Sequence, residues 1–222
     1  MTTRGTEASP QVYARIGGIL YLLIIVLGAL GQIFIRGALI APGDAVATGN
    51  NIMASQSLWR IGILGDLMMH LFDIPVMLVF YVLLKPVNKN LVLLGVLLNL
   101  IQTAVLVTNK LNLVMPLLLL ENGDSKRAFE FIRLHDYGFG IGLIFFGFAC
   151  LVYGYLIFKS GYLPRILGVL MMIAGLSYLT NSFALIVAPT YSGKIFPVLL
   201  LALIGELSLS LWLIVKGVKI QK

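Results

Sequence analysis

The chain has few charged residues for its length, and this shortage argues against a soluble domain. Only 11% of its 222 residues are Asp, Glu, Lys or Arg, whereas 59% are hydrophobic. A soluble domain carries about 25% charged residues, which cover its surface. The composition therefore predicts an exterior that faces lipid rather than water, so membrane lipids are the expected contacts of the protein surface.

Other common features are also scarce or missing. The single cysteine, Cys150, excludes an internal disulfide and a cysteine-rich metal centre. The chain has neither a glycine-rich phosphate loop nor the Gly-x-Ser-x-Gly elbow of serine hydrolases. We therefore predict no bound cofactor and assign no catalytic residue.

The net charge of +7 does not indicate a nucleic-acid partner. The basic residues stand singly or in pairs at the ends of apolar runs, and they form no basic stripe or patch. Such a distribution is typical of residues that orient membrane spans against anionic headgroups. No binding to nucleic acid is expected.

Six apolar stretches are each long enough to cross a bilayer, which requires about 20 residues. The predicted fold is an all-α, six-span transmembrane bundle forming one domain over residues 13–216. A polar tail, residues 1–12, precedes it, and a basic tail, residues 217–222, follows it. The predicted spans cover residues 13–35, 61–84, 91–114, 138–158, 166–188 and 195–215.

The basic residues at the span ends predict that both chain termini are cytoplasmic, because Lys and Arg are enriched in cytoplasmic loops. The predicted inner side carries Arg4, Arg15, Lys85, Lys89, Lys159, Arg165, Lys216, Lys219 and Lys222. The predicted outer side carries the smaller set of Arg36, Arg60, Lys126, Arg127, Arg133 and Lys194.

The two longer loops lie on the predicted outer side. In the first, Asp44 follows Pro42-Gly43 and is expected to cap a short helix. That helix leads to Trp59 and Arg60, which we interpret as anchors at the membrane interface. The second loop, residues 121–136, predicts a short interfacial helix. Lys110, near the outer end of span three, is interpreted as a snorkelling anchor.

Ionisable residues inside the second span are the main candidates for function. Asp66, His70 and Asp73 follow one another at i, i+4 and i+7, so they share one helical face. Each such residue costs about 2.5–3.5 kcal/mol on insertion scales and normally faces the bundle interior. Pro75 follows at once and is expected to kink the helix.

Other spans add polar groups near the same depth. They are Asn99 and Gln102 in span three, Tyr178 and Asn181 in span five, and Glu206 in span six. With the stripe of span two, they predict an acid-rich pocket for a proton, a cation or a small amine-bearing ligand.

Two alternatives stay open at this point. The polar residues could instead join helices in a structural or regulatory protein that binds partners. Asp66, His70 and Asp73, with Glu206 and His135, also include the ligand types of Zn²⁺, as in an intramembrane enzyme acting on lipid. That signal is weak, because the chain has only two histidines.

Several short motifs resemble a known family. They are Pro42-Gly-Asp-Ala45, Asn51-Ile52, residues 57–63, 84–88, 137–138, 145–147 and 161–168, then Gly175, Tyr178, Ser182 and Phe183. The chain resembles the bacterial domain-of-unknown-function 4386 family of multi-spanning membrane proteins, from about Ala14 to Val187. The resemblance implies a compact helical domain in the bacterial cytoplasmic membrane and no assigned activity.

The resemblance bears on the site residues as well. It implies that Arg60, Asp66 and Asp73 follow the family pattern. It also implies that relatives carry a glutamate near Gln56, an acidic residue near Asn181 and a histidine near Ala149, where this chain differs. These differences weaken the metal-site alternative.

Overall fold

The structure is a computed structural model that describes residues 9–219. Those residues form seven helices and no strand. The helices are α1 (Pro10–Leu39), α2 (Ala45–Ala54), α3 (Gln56–Leu84), α4 (Lys89–Glu121), α5 (Ser125–Ser160), α6 (Arg165–Val187) and α7 (Pro189–Val215). All except α2 are long and apolar enough to cross a membrane, which confirms the predicted all-α fold with six spans.

The six long helices contact one another in chain order. Helix α1 packs against α3, α3 against α4, α4 against α5, α5 against α6, and α6 against α7. Contacts between α7 and α1 close the circuit. Leu, Ile, Val and Phe side chains cover much of the outer surface, as expected of helices in lipid.

Glycines allow the closest helix contacts. A Cβ atom on Gly154 would lie 2.6 Å from the Gly168 carbonyl oxygen, and one on Gly175 would lie 2.6 Å from that of Gly147. Helices α5 and α6 therefore approach backbone to backbone, which only small residues permit.

Buried residues are arranged in three layers along the bundle. One apolar cluster includes Trp59, Leu113 and Ile132, and the other, at the opposite ends of the same helices, includes Val76, Val92 and Ala149. Between those positions, α3, α4 and α5 bury polar side chains. These side chains form a polar middle layer, which consists of Asp66, His70, Asp73, Asn99, Gln102, Thr103, Asn109, Lys110 and His135.

Local chemistry sets several helix ends. Asp44 caps α2 by accepting a hydrogen bond from the Ala47 backbone N–H at 2.9 Å, which confirms the predicted cap. Gly161, with φ of 74°, ends α5 in a left-handed conformation that suits glycine. Helix α1 begins at Pro10, inside the predicted tail, with Ser9 as its cap. Residues 1–8 and 220–222 lie outside the described part of the chain.

Two expectations about helix shape were wrong. Residues 125–136 form no separate interfacial helix, because α5 runs without interruption from Ser125 to Ser160. Helix α4 extends to Glu121, beyond the predicted end of span three at residue 114. The apolar run 111–120 has no polar residue to end the helix except Asn112, and Pro116 lies within it.

Candidate functional site: three buried polar clusters

The first cluster is centred on Asp66, whose carboxylate contacts two cations. Arg36 Nη1 lies 2.7 Å from Asp66 Oδ2, and Lys110 Nζ lies 2.8 Å from the same oxygen. All three residues are buried, with 7%, 3% and 1% exposure for Arg36, Lys110 and Asp66. Two cations and one carboxylate leave the cluster with one excess positive charge.

An irregular turn of α1 places Arg36 in this cluster. Residues Leu30–Arg36 form a π-helix, which is rare and is often found at functional sites. Within that turn, Arg36 Nε donates to Gln32 Oε1 at 2.8 Å. A Cβ atom on Gly31 would lie 2.7 Å from Asp66 Oδ1, so glycine at this position lets the carboxylate approach α1.

Lys110 occupies a break in α4, where the regular helix ends at Asn109 and resumes at Leu111. Its ammonium group also lies 3.4 Å from His135 Nε2 of α5. The neighbouring Asn109 donates to the His135 carbonyl oxygen at 2.8 Å and fixes α4 against α5. Gly138 leaves room for that amide, since a Cβ there would overlap Asn109.

The second cluster surrounds Asp73, two turns along α3 from Asp66. Thr103 Oγ1 donates to Asp73 Oδ2 at 2.7 Å. With its amide nitrogen turned toward α3, Gln102 donates to the same oxygen and to the Asn99 carbonyl oxygen, each at 3.3 Å. Asp73 therefore has hydroxyl and amide donors.

The third cluster joins α6 and α7. Tyr178 Oη donates to Glu206 Oε1 at 2.8 Å, and Glu206 is buried while Tyr178 is half-buried. The Tyr21 hydroxyl of α1 approaches the same carboxyl but stays outside hydrogen-bond geometry. Asn181 is buried on the same face as Tyr178, yet within the described residues it makes no hydrogen bond to Glu206.

His70 lies between the first two clusters on α3 and is 2% exposed. Its Nε2 atom has no hydrogen-bond partner in the described residues. The helical face shared by Asp66, His70 and Asp73 is thus buried, as predicted. However, Asp66 and Asp73 belong to two different clusters, and His70 lies between them.

Several interpretations of individual residues were wrong. Lys110 is not a snorkelling anchor, because it is buried and bound to Asp66. The Trp59 side chain faces the bundle interior rather than lipid; it is 2% exposed, and its Nε1 donates to the Leu113 carbonyl oxygen at 2.8 Å. Arg60 is exposed, which agrees with a place at the surface.

The expectation of an acid-rich interior also needs correction. It holds around Asp73 and Glu206 but fails at Asp66, where cations outnumber carboxylates. The additional cation is Arg36, which the sequence pattern predicts on the outer side and the structure places against Asp66. Arg36 lies one residue beyond predicted span one, and an arginine at the end of a span can turn toward the interior as well as toward solvent. Its position was therefore the one sequence feature that could have indicated an interior contact.

The geometry gives no support to a metal centre. The described residues bring together no group of three His, Cys, Asp or Glu side chains able to hold a metal ion. Asp66, the first residue of the weak metal-binding set, already has both cations at its carboxylate. A shallow notch beside Arg36 has no room for a water molecule.

The fold and these clusters define a class, a multi-pass α-helical membrane protein with ionisable side chains buried between its helices. The family model described as "Domain of unknown function (DUF4386)" matches residues 16–217, and the chain belongs to that family. The chain is also similar to an "Uncharacterized protein" of Archaeoglobus fulgidus, with 28% identity over 160 residues, covering 72% of this chain and 86% of the relative. No solved structure matches the chain significantly.

Proposed function

We propose that this protein binds protons within the membrane on Asp73 and Glu206 and moves them across it. The observation that carries the proposal is the difference between the three carboxyl groups. Asp66 lies against two cations, whereas among residues 9–219 neither Asp73 nor Glu206 has a Lys or Arg within ion-pair distance.

A buried carboxyl group without a cationic partner has two low-energy states. It can hold a proton and be neutral, or it can be ionised while a cation binds beside it. Thr103 and Gln102 at Asp73, and Tyr178 at Glu206, donate hydrogen bonds to a carboxylate. Such donors lower the cost of the ionised state, so that a proton can leave as well as bind.

Two features of the surroundings support proton binding by these carboxyl groups. Asp73 and Glu206 lie within electrostatic range of each other. Buried hydroxyl groups of Tyr21, Tyr153 and Ser182 have no hydrogen-bond partner in the described residues. Buried hydroxyls of this kind are commonly satisfied by water, which also carries protons.

Location and orientation belong to the same proposal. The protein lies in the cytoplasmic membrane, with its N- and C-termini in the cytoplasm. More Lys and Arg residues flank the spans on the side of the α3–α4 turn, which contains Lys85 and Lys89, than on the other side. This excess supports the orientation. The turn between α4 and α5 then faces the outside.

Proton flux into proteoliposomes that contain a pH-sensitive dye tests the proposal. A potassium diffusion potential drives the flux, with Asp73→Asn and Glu206→Gln as test variants and the exposed Glu130→Gln as the control. We expect flux in the wild type and the control, and its loss in both test variants. Wild-type flux equal to that of empty liposomes would refute the proposal. Flux that depends on sodium would show that the transported ion is Na⁺ rather than a proton.

The second candidate is a structural or partner-binding membrane protein. The mutual pairing of the buried groups favours it, because buried polar pairs also hold helices together. In that case Asp73→Asn and Glu206→Gln lower the unfolding temperature in detergent and no flux is seen in any variant.

A further inference from the structure

A continuous series of titratable groups leads from the protein surface to the buried carboxylate of Asp66. The side chain of Asp136 is 62% exposed, and its Oδ1 lies 3.8 Å from His135 Nδ1. His135 Nε2 lies 3.4 Å from Lys110 Nζ, which lies 2.8 Å from Asp66 Oδ2. Of these groups, only Asp136 is exposed.

We expect the contact between His135 and a protonated Lys110 to set which ring nitrogen of His135 carries its proton. An ammonium group is only a donor, so the Nε2 atom that faces Lys110 must accept. The neutral ring therefore carries its proton on Nδ1. This Nδ1 is buried and has no hydrogen-bond partner in the described residues, and the nearest carboxylate oxygen, Asp136 Oδ1, lies 3.8 Å away.

The charge of the cluster supplies a reason for proton exchange at Lys110. Arg36 stays protonated in proteins, and Asp66 is held between the two cations. Only the loss of a proton from Lys110 leaves one cation paired with one carboxylate. His70, the other titratable group nearby on α3, lies one turn from Asp66 and adds no fixed charge when neutral.

We propose that Lys110 exchanges one proton with the surface at Asp136 through His135. An N–H bond of the Lys110 ammonium breaks as an N–H bond forms at His135 Nε2. The Nδ1–H bond then breaks as its proton passes to the Asp136 carboxylate. Lys110 is left as an amine and His135 as the neutral Nε2–H tautomer, and the reverse transfers restore the starting state.

This inference deepens the proposed function, because it gives the buried layer a route to one membrane surface. It concerns a cluster separate from Asp73 and Glu206, so the exchange can be tested without measuring transport. The chain has only two histidines, His70 and His135. Nitrogen NMR of the histidine-labelled protein therefore gives two sets of ring signals, which His70→Gln assigns.

The expected result is that His135 is the neutral Nδ1–H tautomer at neutral pH. Lys110→Met should abolish that preference, because nothing then donates to Nε2, while the exposed Lys126→Met should preserve it. Lys110→Met retains the Arg36–Asp66 pair and should fold. An Nε2–H tautomer in the wild type, or His135 signals unchanged by Lys110→Met, would overturn the inference.

A flux measurement separates this inference from the proposed function. In the proteoliposomes described above, His135→Gln and Asp136→Asn should slow proton flux at least about tenfold. Flux that Asp73→Asn abolishes and His135→Gln leaves unchanged would refute the route alone. Absent flux in the wild type with the expected histidine tautomer would refute the proposed function alone.

Discussion

The Lys110 ammonium group lies 2.8 Å from Oδ2 of Asp66, a residue 44 positions earlier in the chain. The contact joins α3 to the break in α4, and both side chains are at least 96% buried. A buried charge that loses its partner is far more costly than a pair removed together. The stability of the bundle should therefore respond very differently to substitutions at the two residues.

Asp66→Asn should strongly destabilise the protein. The change leaves Arg36 and Lys110 buried without a carboxylate, and breaking a buried ion pair in this way typically costs about 3–5 kcal/mol. Lys110→Met should be tolerated, because Arg36 and Asp66 remain as a neutral pair. Thermal unfolding in mild detergent measures both effects, and equal losses in the two variants would contradict this account.

Gly31→Ala tests the close approach of α1 to Asp66. The new Cβ would lie 2.7 Å from Asp66 Oδ1 and 3.2 Å from Arg36 Nη2, so the ion pair must shift. We expect a lower unfolding temperature, although alanine favours a helix by about 1 kcal/mol. Gly65→Ala on α3 is the matched control, since nothing lies within 4 Å of its Cβ. A stabilised Gly31→Ala would show that the cluster is loosely packed.

Tyr162 should make the stability of the folded protein depend on pH above pH 10. It lies between α5 and α6, and its hydroxyl donates to the Leu83 carbonyl oxygen. Burial raises the pKa of Tyr162 from 10.0 to about 12. Between these values the folded chain retains a proton that the unfolded chain has lost, so stability falls as pH rises through this range.

Tyr162→Phe removes that proton and should flatten this part of the curve. The comparison uses the unfolding temperature of the wild type and of Tyr162→Phe between pH 10 and 12. Parallel curves for the two proteins would show that Tyr162 titrates alike in the folded and unfolded chains.

The orientation of the chain can be tested with single cysteines. Cys150, the natural cysteine, is fully buried, so it gives little background in intact cells. Asn122→Cys, in the exposed turn before α5, should react with an impermeant maleimide added outside. Lys89→Cys at the start of α4 should react only after lysis. The opposite pattern would reverse the proposed topology.

The sequence predicted the six spans because each requires an apolar run of about 20 residues, a signal spread over many positions. It also predicted the burial of Asp66, His70 and Asp73 from their spacing, since one helical face can turn away from lipid. These features depend on local periodicity, which is present in a single chain.

The partners across helices could not be predicted in the same way. Arg36 turns inward because seven residues of α1 adopt a π-helix, and no residue type marks such a turn. The apolar run predicts Lys110 near a helix end, yet α4 continues to Glu121, about 16 Å further along its axis. The Lys110 side chain lies inside the bundle and takes Asp66 as an interior partner.

The central claim, that Asp73 and Glu206 bind protons inside the membrane, is tested most directly by infrared difference spectroscopy during a change of pH. The account predicts carboxylic-acid C=O bands that appear on acidification, one lost in Asp73→Asn and another in Glu206→Gln, with Glu130→Gln leaving both. The account would be contradicted if the bands were unchanged in Asp73→Asn and Glu206→Gln, or if no carboxylic-acid band appeared as the pH falls.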